Sequence, residues 1–379
     1  MTESIPYWRL SGFYFFYFAS LGALVPYWGP YLQTRGFDAT RIGELMAVLM
    51  ATKIVAPNVW GWIADHTGRR MQIVRIASLL SVLTFAGVFY VKGFWGLALV
   101  MAAFSFFWNA SLPQFEAVTL DHLGERSERY SHVRLWGSIG FIASVAGLGA
   151  TLDHYGMARV PQVVLVLYGG IWLVSLTVPE RVDGVHPHDP GSLMGVLRQP
   201  RVLAFLGTCF LMQAGHGAYY AFYSLYLETY GYSNAMTGVL WALGVVAEVA
   251  AFVVMHRLMR RYSARQMLIA SLGAAAVRWL LIALFAEWLW ILVAAQVLHA
   301  VTFGVFHAAA IHLVQTYFQG RHQGRGQALY SSVSFGAGGA VGSLVSGHVW
   351  SGLSPAWTYG VSSAVALAAL FTAWRWVDR

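Results

Sequence analysis

The chain has 379 residues, of which 58% are hydrophobic and 11% charged, and its net charge is +8. Soluble domains carry roughly a quarter charged residues, so a soluble core is excluded, and the basic excess is read as membrane topology rather than as a nucleic-acid surface. The one cysteine, Cys209, sits in an apolar segment, which excludes a disulfide framework and a cysteine-based metal site.

Taken in order, apolar stretches of about the 20 residues that cross a bilayer recur twelve times, at 7–33, 41–64, 71–91, 94–118, 130–152, 160–178, 201–228, 234–256, 266–286, 288–316, 326–350 and 354–376. The first begins after one basic residue, as an export signal does, but runs well past signal length and is read as a retained helix. Connections are short except for the polar stretch 179–200. The expectation is therefore an all-α membrane protein of twelve transmembrane helices, with six-helix halves at 1–178 and 201–379 and a cytoplasmic linker at 179–200. Basic residues agree with this count. With a cytoplasmic amino terminus, seventeen arginines face inward, while Arg35, Arg41, Lys92 and Arg159 face outward and Lys53, Arg134 and Arg278 lie within spans. That bias places both termini in the cytoplasm.

Charges at bilayer depth are costly, at about 2.5–3.5 kcal/mol or more each, and are kept when paired, wet or used. Lys53 lies midway along helix 2. Helix 4 supplies Asn109, Gln114 and Glu116, and helix 5 opens with Arg134. Glu116 and Arg134 read equally as an end-of-helix salt bridge or as a substrate contact. Glu248, Arg278 and His299 sit near the middles of three successive spans. They read either as a static Glu248–Arg278 bridge beside a core histidine, or as a proton-coupling site in which burial and a nearby arginine pull the carboxyl's proton affinity in opposite directions. His307, eight residues beyond His299 and about 80° round the helix, joins that face; His312 does not. Lys53, Arg134 and Arg278 against Glu116 and Glu248 leave one unmatched cation, which favours an anionic substrate, with Lys53 as its first contact. Helix 7 adds aromatic walls and hydroxyls, Tyr219 and Tyr223 among them, that suit an aromatic acid or simple packing. Glycine-dense helix 11 reads as a close-packing surface.

Between helices 2 and 3, Gly61, Asp65, Gly68, Arg69 and Arg70 stand in ordered spacing: glycines for a tight turn, an acid for a cation or a helix amino end, arginines to hold the loop inside. This resembles the loop signature of the major facilitator superfamily, which implies a part in gating. The loop between helices 8 and 9 keeps the basic charge and lacks that frame. Glu116 with Arg134, and Glu248 with Arg278 and His299, are similar in placement to sugar-binding and proton-coupling residues of the lactose/proton symporters, although Gln296 and Thr302 stand where those carry a lysine and a glutamate. VRLWGS, QAGHGAYYAFYSLY, GYSNAMTGVLWALGVVAEV and VLHAVTFGVFHAAA resemble the 3-phenylpropionate permease-like branch over nearly the whole chain.

The resemblance implies a secondary transporter of the bacterial inner membrane, monomeric and without cofactor, importing a small carboxylate such as 3-phenylpropionate with protons. Symport of a neutral sugar or nucleoside and drug-type antiport are the alternatives within transport. An intramembrane metal enzyme is the alternative outside it; His307 and His312 are five apart rather than the four of HExxH, and a GxxxxGK phosphate loop is missing too.

Overall fold

A computed structural model describes residues 5–180 and 193–378, so most of the expected linker lies outside the described residues. Twelve long helices follow one another: α1 (Tyr7–Thr34), α2 (Ala39–Thr67), α3 (Arg70–Phe85), α4 (Phe94–Leu123), α5 (Tyr130–Tyr155), α6 (Val160–Thr177), α7 (Pro200–Thr229), α8 (Asn234–Arg261), α9 (Ala264–Phe285), α10 (Leu289–Tyr317), α11 (Gln323–Gly352) and α12 (Pro355–Trp376). Among the described residues there is no strand. Eleven of the twelve are long and apolar enough to cross a membrane. The exception is α7, where Gln213, His216 and the tyrosines at 219, 220, 223 and 226 dilute the apolar run. Most of its side chains are buried inside the protein, so it is shielded from the lipid that its composition suits poorly.

Local chemistry sets the helix ends. Asp38, Ser233 and Ser354 accept from backbone N–H groups in the first turns of α2, α8 and α12, and Ser263 with Gln266 forms a capping box at α9. Gly68 ends α2 at φ +65°, a conformation that a side chain resists. Within α10 and α11, π turns occupy Ala300–Val305 and Ser332–Gly338.

The first six helices pack mainly on one another, as do the last six, and the two sets meet through α1 on α7, α2 on α11 and α5 on α8. An even number of crossings puts the start of α1 and the end of α12 on one side, called here the terminal side; the opposite is the far side. Far-side contacts between the sets are backbone-close. A Cβ on Gly43 of α2 would lie 2.7 Å from the Ser343 carbonyl of α11, and one on Gly347 would lie 2.6 Å from the Ala39 carbonyl. Thr40 donates to Ser351 there at 3.0 Å. Nearer the terminal side, Ser332 of α11 receives a hydrogen bond from Asn58 at 3.1 Å and reaches the Ile54 carbonyl at 3.5 Å.

Candidate functional site

In the last six helices the ionisable side chains form one chain of contacts. Arg278 of α9 is 0% exposed. Its Nε donates to the Ala295 carbonyl at 2.8 Å, Nη1 donates to His299 Nδ1 at 3.0 Å and Thr302 Oγ1 at 3.3 Å, and Nη2 donates to Gln296 Oε1 at 3.4 Å. The guanidinium also lies 4.4 Å from the ring centre of Tyr219 and 4.6 Å from that of Trp279. Every one of these partners is neutral.

The expected direct Glu248–Arg278 bridge is therefore corrected: His299 stands between the two, with Nε2 at 3.9 Å from Glu248 Oε2, inside ion-pair range. A guanidinium has only hydrogens to offer. Its contact thus makes Nδ1 of His299 an acceptor, and the neutral ring carries its proton on Nε2, the edge turned to Glu248. Nε2 already carries the ring's own proton and Nδ1 is denied one as long as Arg278 stays in place, so an added proton rests on Glu248.

His299, Phe303 and His307 stack along α10, with centroids 5.4 Å and 6.0 Å apart and ring planes within 16° and 8°. The 80° offset expected of an α-helix is narrowed because the π turn between them widens each turn toward five residues. His307 Nδ1 meets the Tyr330 hydroxyl of α11 at 3.1 Å.

The first six helices present a looser arrangement. Among the described residues Glu116 and Arg134 form no ion pair, which corrects the salt-bridge reading. Tyr130, one turn before Arg134, stands nearer and donates to Glu116 Oε1 at 3.3 Å, while the Arg134 guanidinium lies over the Phe18 ring at 3.7 Å. Lys53 of α2 is partly buried and makes no hydrogen bond or ion pair among the described residues. Beside it Asn109 donates to Thr52 at 3.0 Å and Thr52 to Ser105 at 2.9 Å, so those polar groups are already engaged.

Two further expectations are corrected. Tyr219 and Tyr223 are 1% and 0% exposed, and their hydroxyls are held by one amide: Tyr219 donates to Gln296 Oε1 at 2.9 Å and Gln296 Nε2 donates to Tyr223 at 2.6 Å. They brace the Arg278 cluster and do not line an open wall. In the gating loop Gly61 and Asp65 belong to α2 and only Gly68 makes the turn. Asp65 accepts from Arg70 at 3.1 Å, Arg70 also donates to Gln114 at 2.9 Å, and Arg69 holds the N-cap position of α3 without a side-chain cap bond. Reasoning from the sequence missed Tyr130, Phe303 and the bracing role of Gln296. A buried glutamine one turn from Arg278's histidine partner was the available signal for the last.

Comparison with known proteins places this arrangement. Residues 7–361 match the MFS_1 like family. The chain is 32% identical to the "Probable 3-phenylpropionic acid transporter" of Escherichia coli, covering 94% of both chains. It is 26% identical to the maltose permease of Geobacillus stearothermophilus, over 89% of this chain and 86% of that one. A crystal structure of a mutant of the nucleoside transporter NupG superposes with a TM-score of 0.87 at 17% identity, covering 97% of this chain and 98% of that one, a likeness of fold.

Proposed function

The chain belongs to the MFS_1 like family and is an integral membrane transporter rather than an enzyme, and from this premise we propose that it imports a small aromatic carboxylate together with protons by alternating access. The observation that carries the reading is the charge arrangement. Three cations lie within the spans against two acids, and among the described residues none of the three is ion-paired and Lys53 has no hydrogen-bond partner. A substrate carboxylate arriving at Lys53 relieves that imbalance at a depth where an isolated charge is expensive. The protein of Escherichia coli named for 3-phenylpropionic acid supports the class.

Glu248 is the proton carrier in this reading. It is 19% exposed and lies 3.9 Å from His299 within its own set. The two six-helix sets rock about the central charges, both chain ends face the cytoplasm of a bacterial inner membrane, and the working unit is a monomer. The nucleoside reading is favoured by the NupG likeness and remains the competitor, with Glu116 and Arg134 as the sugar contacts.

Uptake into proteoliposomes separates the two. Labelled 3-phenylpropionate, uridine and maltose are offered with and without an inward proton gradient, and protein-free vesicles correct for unaided passage of the acid through lipid. Gradient-driven uptake of the acid alone is expected. Uptake of uridine or maltose alone makes the unpaired cations structural and rejects the carboxylate reading.

A further inference from the structure

The carboxylate of Asp153, near the far end of α5, crosses from the first six helices to the last six. Its Oδ1 accepts from the Asn234 N–H at 2.8 Å and its Oδ2 from the Ala235 N–H at 3.0 Å. Those two N–H groups belong to the first turn of α8, where backbone donors lack intrahelical partners and the helix dipole favours an anion. Ser233 satisfies the next donor, Met236 N–H, from within α8 itself. The amino end of α8 is thus capped jointly, by its own serine and by an acid of the other set.

Two neighbours show that this is a closed joint. Tyr27 of α1, 0% exposed, donates to the Val145 carbonyl of α5 at 2.7 Å and lies 3.4 Å from the Asn234 carbonyl of α8, so one hydroxyl reaches both sides of the seam. Gly149 and Gly238 sit at the same seam, each so close to the opposing backbone and to Tyr27 that a side chain has no room. The two helices joined here also carry Arg134 and Glu248. On the terminal side Asp65 bonds within its own set, to Arg70.

We propose that Asp153 is a latch of the transport cycle, a positioning residue that holds α8 against α5 when the far side is closed and must release the α8 amino end for that side to open. Because α8 carries both the latched amino end and Glu248, release at the far end is coupled to the position of Glu248. The inference rests on the alternating-access part of the proposed function and is independent of substrate and proton.

Thiol labelling tests it in a Cys209→Ser background, in detergent, with soluble maleimide. Val145→Cys reports the far-side seam, where the native side chain is 0% exposed, and Asn58→Cys reports the terminal side. Losing a charge-assisted cap shifts the equilibrium by about five- to tenfold. Asp153→Ala is therefore expected to raise labelling at position 145 and lower it at position 58 by several-fold, with Asp153→Asn shifting both less and Asp153→Glu restoring the native pattern. Gly347→Phe, which forces the α2–α11 seam apart, is the control. Opposite changes in the control but none in Asp153→Ala overturn the latch and leave alternating access standing. Faster labelling at both positions marks simple loosening and also overturns it. If even the control produces no opposite change, alternating access fails and the latch with it.

Discussion

The intramembrane charges of the first and last six helices are handled in opposite ways. Arg278 is sealed and gives hydrogen bonds to four neutral acceptors, one of which, Gln296, is bonded in turn to Tyr219 and Tyr223. Lys53 is partly accessible and bonds to nothing among the described residues, and Arg134 rests on a phenylalanine. Satisfying a buried charge completely fixes it in place, whereas leaving one unsatisfied reserves it for something that arrives. The difference separates a braced cluster around Arg278 from a Lys53 that is left unengaged among the described residues.

The sharpest way to break this comparison is Arg278→Leu. Removing the guanidinium strands several buried acceptors and is expected to cost about 3 kcal/mol and abolish transport; a thermal unfolding midpoint within a degree of the wild type removes the claim that Arg278 is structural frame. Glu248→Gln keeps the shape of the carboxyl and removes its charge. Uptake driven by an imposed proton gradient is expected to fall to the level of substrate exchange, while exchange itself continues; undiminished gradient dependence takes Glu248 out of the proton path. With Lys53→Gln the two regions part company, because the unfolding midpoint stays put and the KM for a carboxylate substrate rises about tenfold, roughly 1.4 kcal/mol. Unaltered KM would mean that the unpaired lysine is idle. The smallest effect is expected of Tyr130→Phe, which deletes a 3.3 Å hydrogen bond to Glu116 worth about 1 kcal/mol. It should change KM two- to fourfold at most, read from the concentration dependence of initial uptake, and a larger loss would show that Tyr130 touches substrate.

What was legible in the chain follows from the bilayer itself. Lipid forces every span to be a helix of at least a set length and makes each internal charge conspicuous, so the helices and the ionisable residues of the site are marked by composition alone. Even the helix that falls short on apolarity, α7, was marked by its length and its flanks. The pairings were not legible. Glu248 and Arg278 look like an ion pair from their spacing, but the order of side chains along a contact chain depends on which rotamers the neighbouring helices leave open, and His299 takes the middle position. Glu116 lost Arg134 to Tyr130 for the same reason, and the alignment of His299 with His307 depends on a π turn that no local residue announces.

By itself, then, the sequence determined an all-helical membrane protein, the basic asymmetry across it, and a set of buried charges that includes one more cation than acid, because hydrophobic transfer and charge burial are properties of residues and need no partner to be known. Only the tertiary structure decided that the far side is shut and that Asp153 crosses the seam there. Those depend on separations across helices more than eighty residues apart in the chain, and a few ångströms there decide whether two groups bond, attract at a distance or ignore each other.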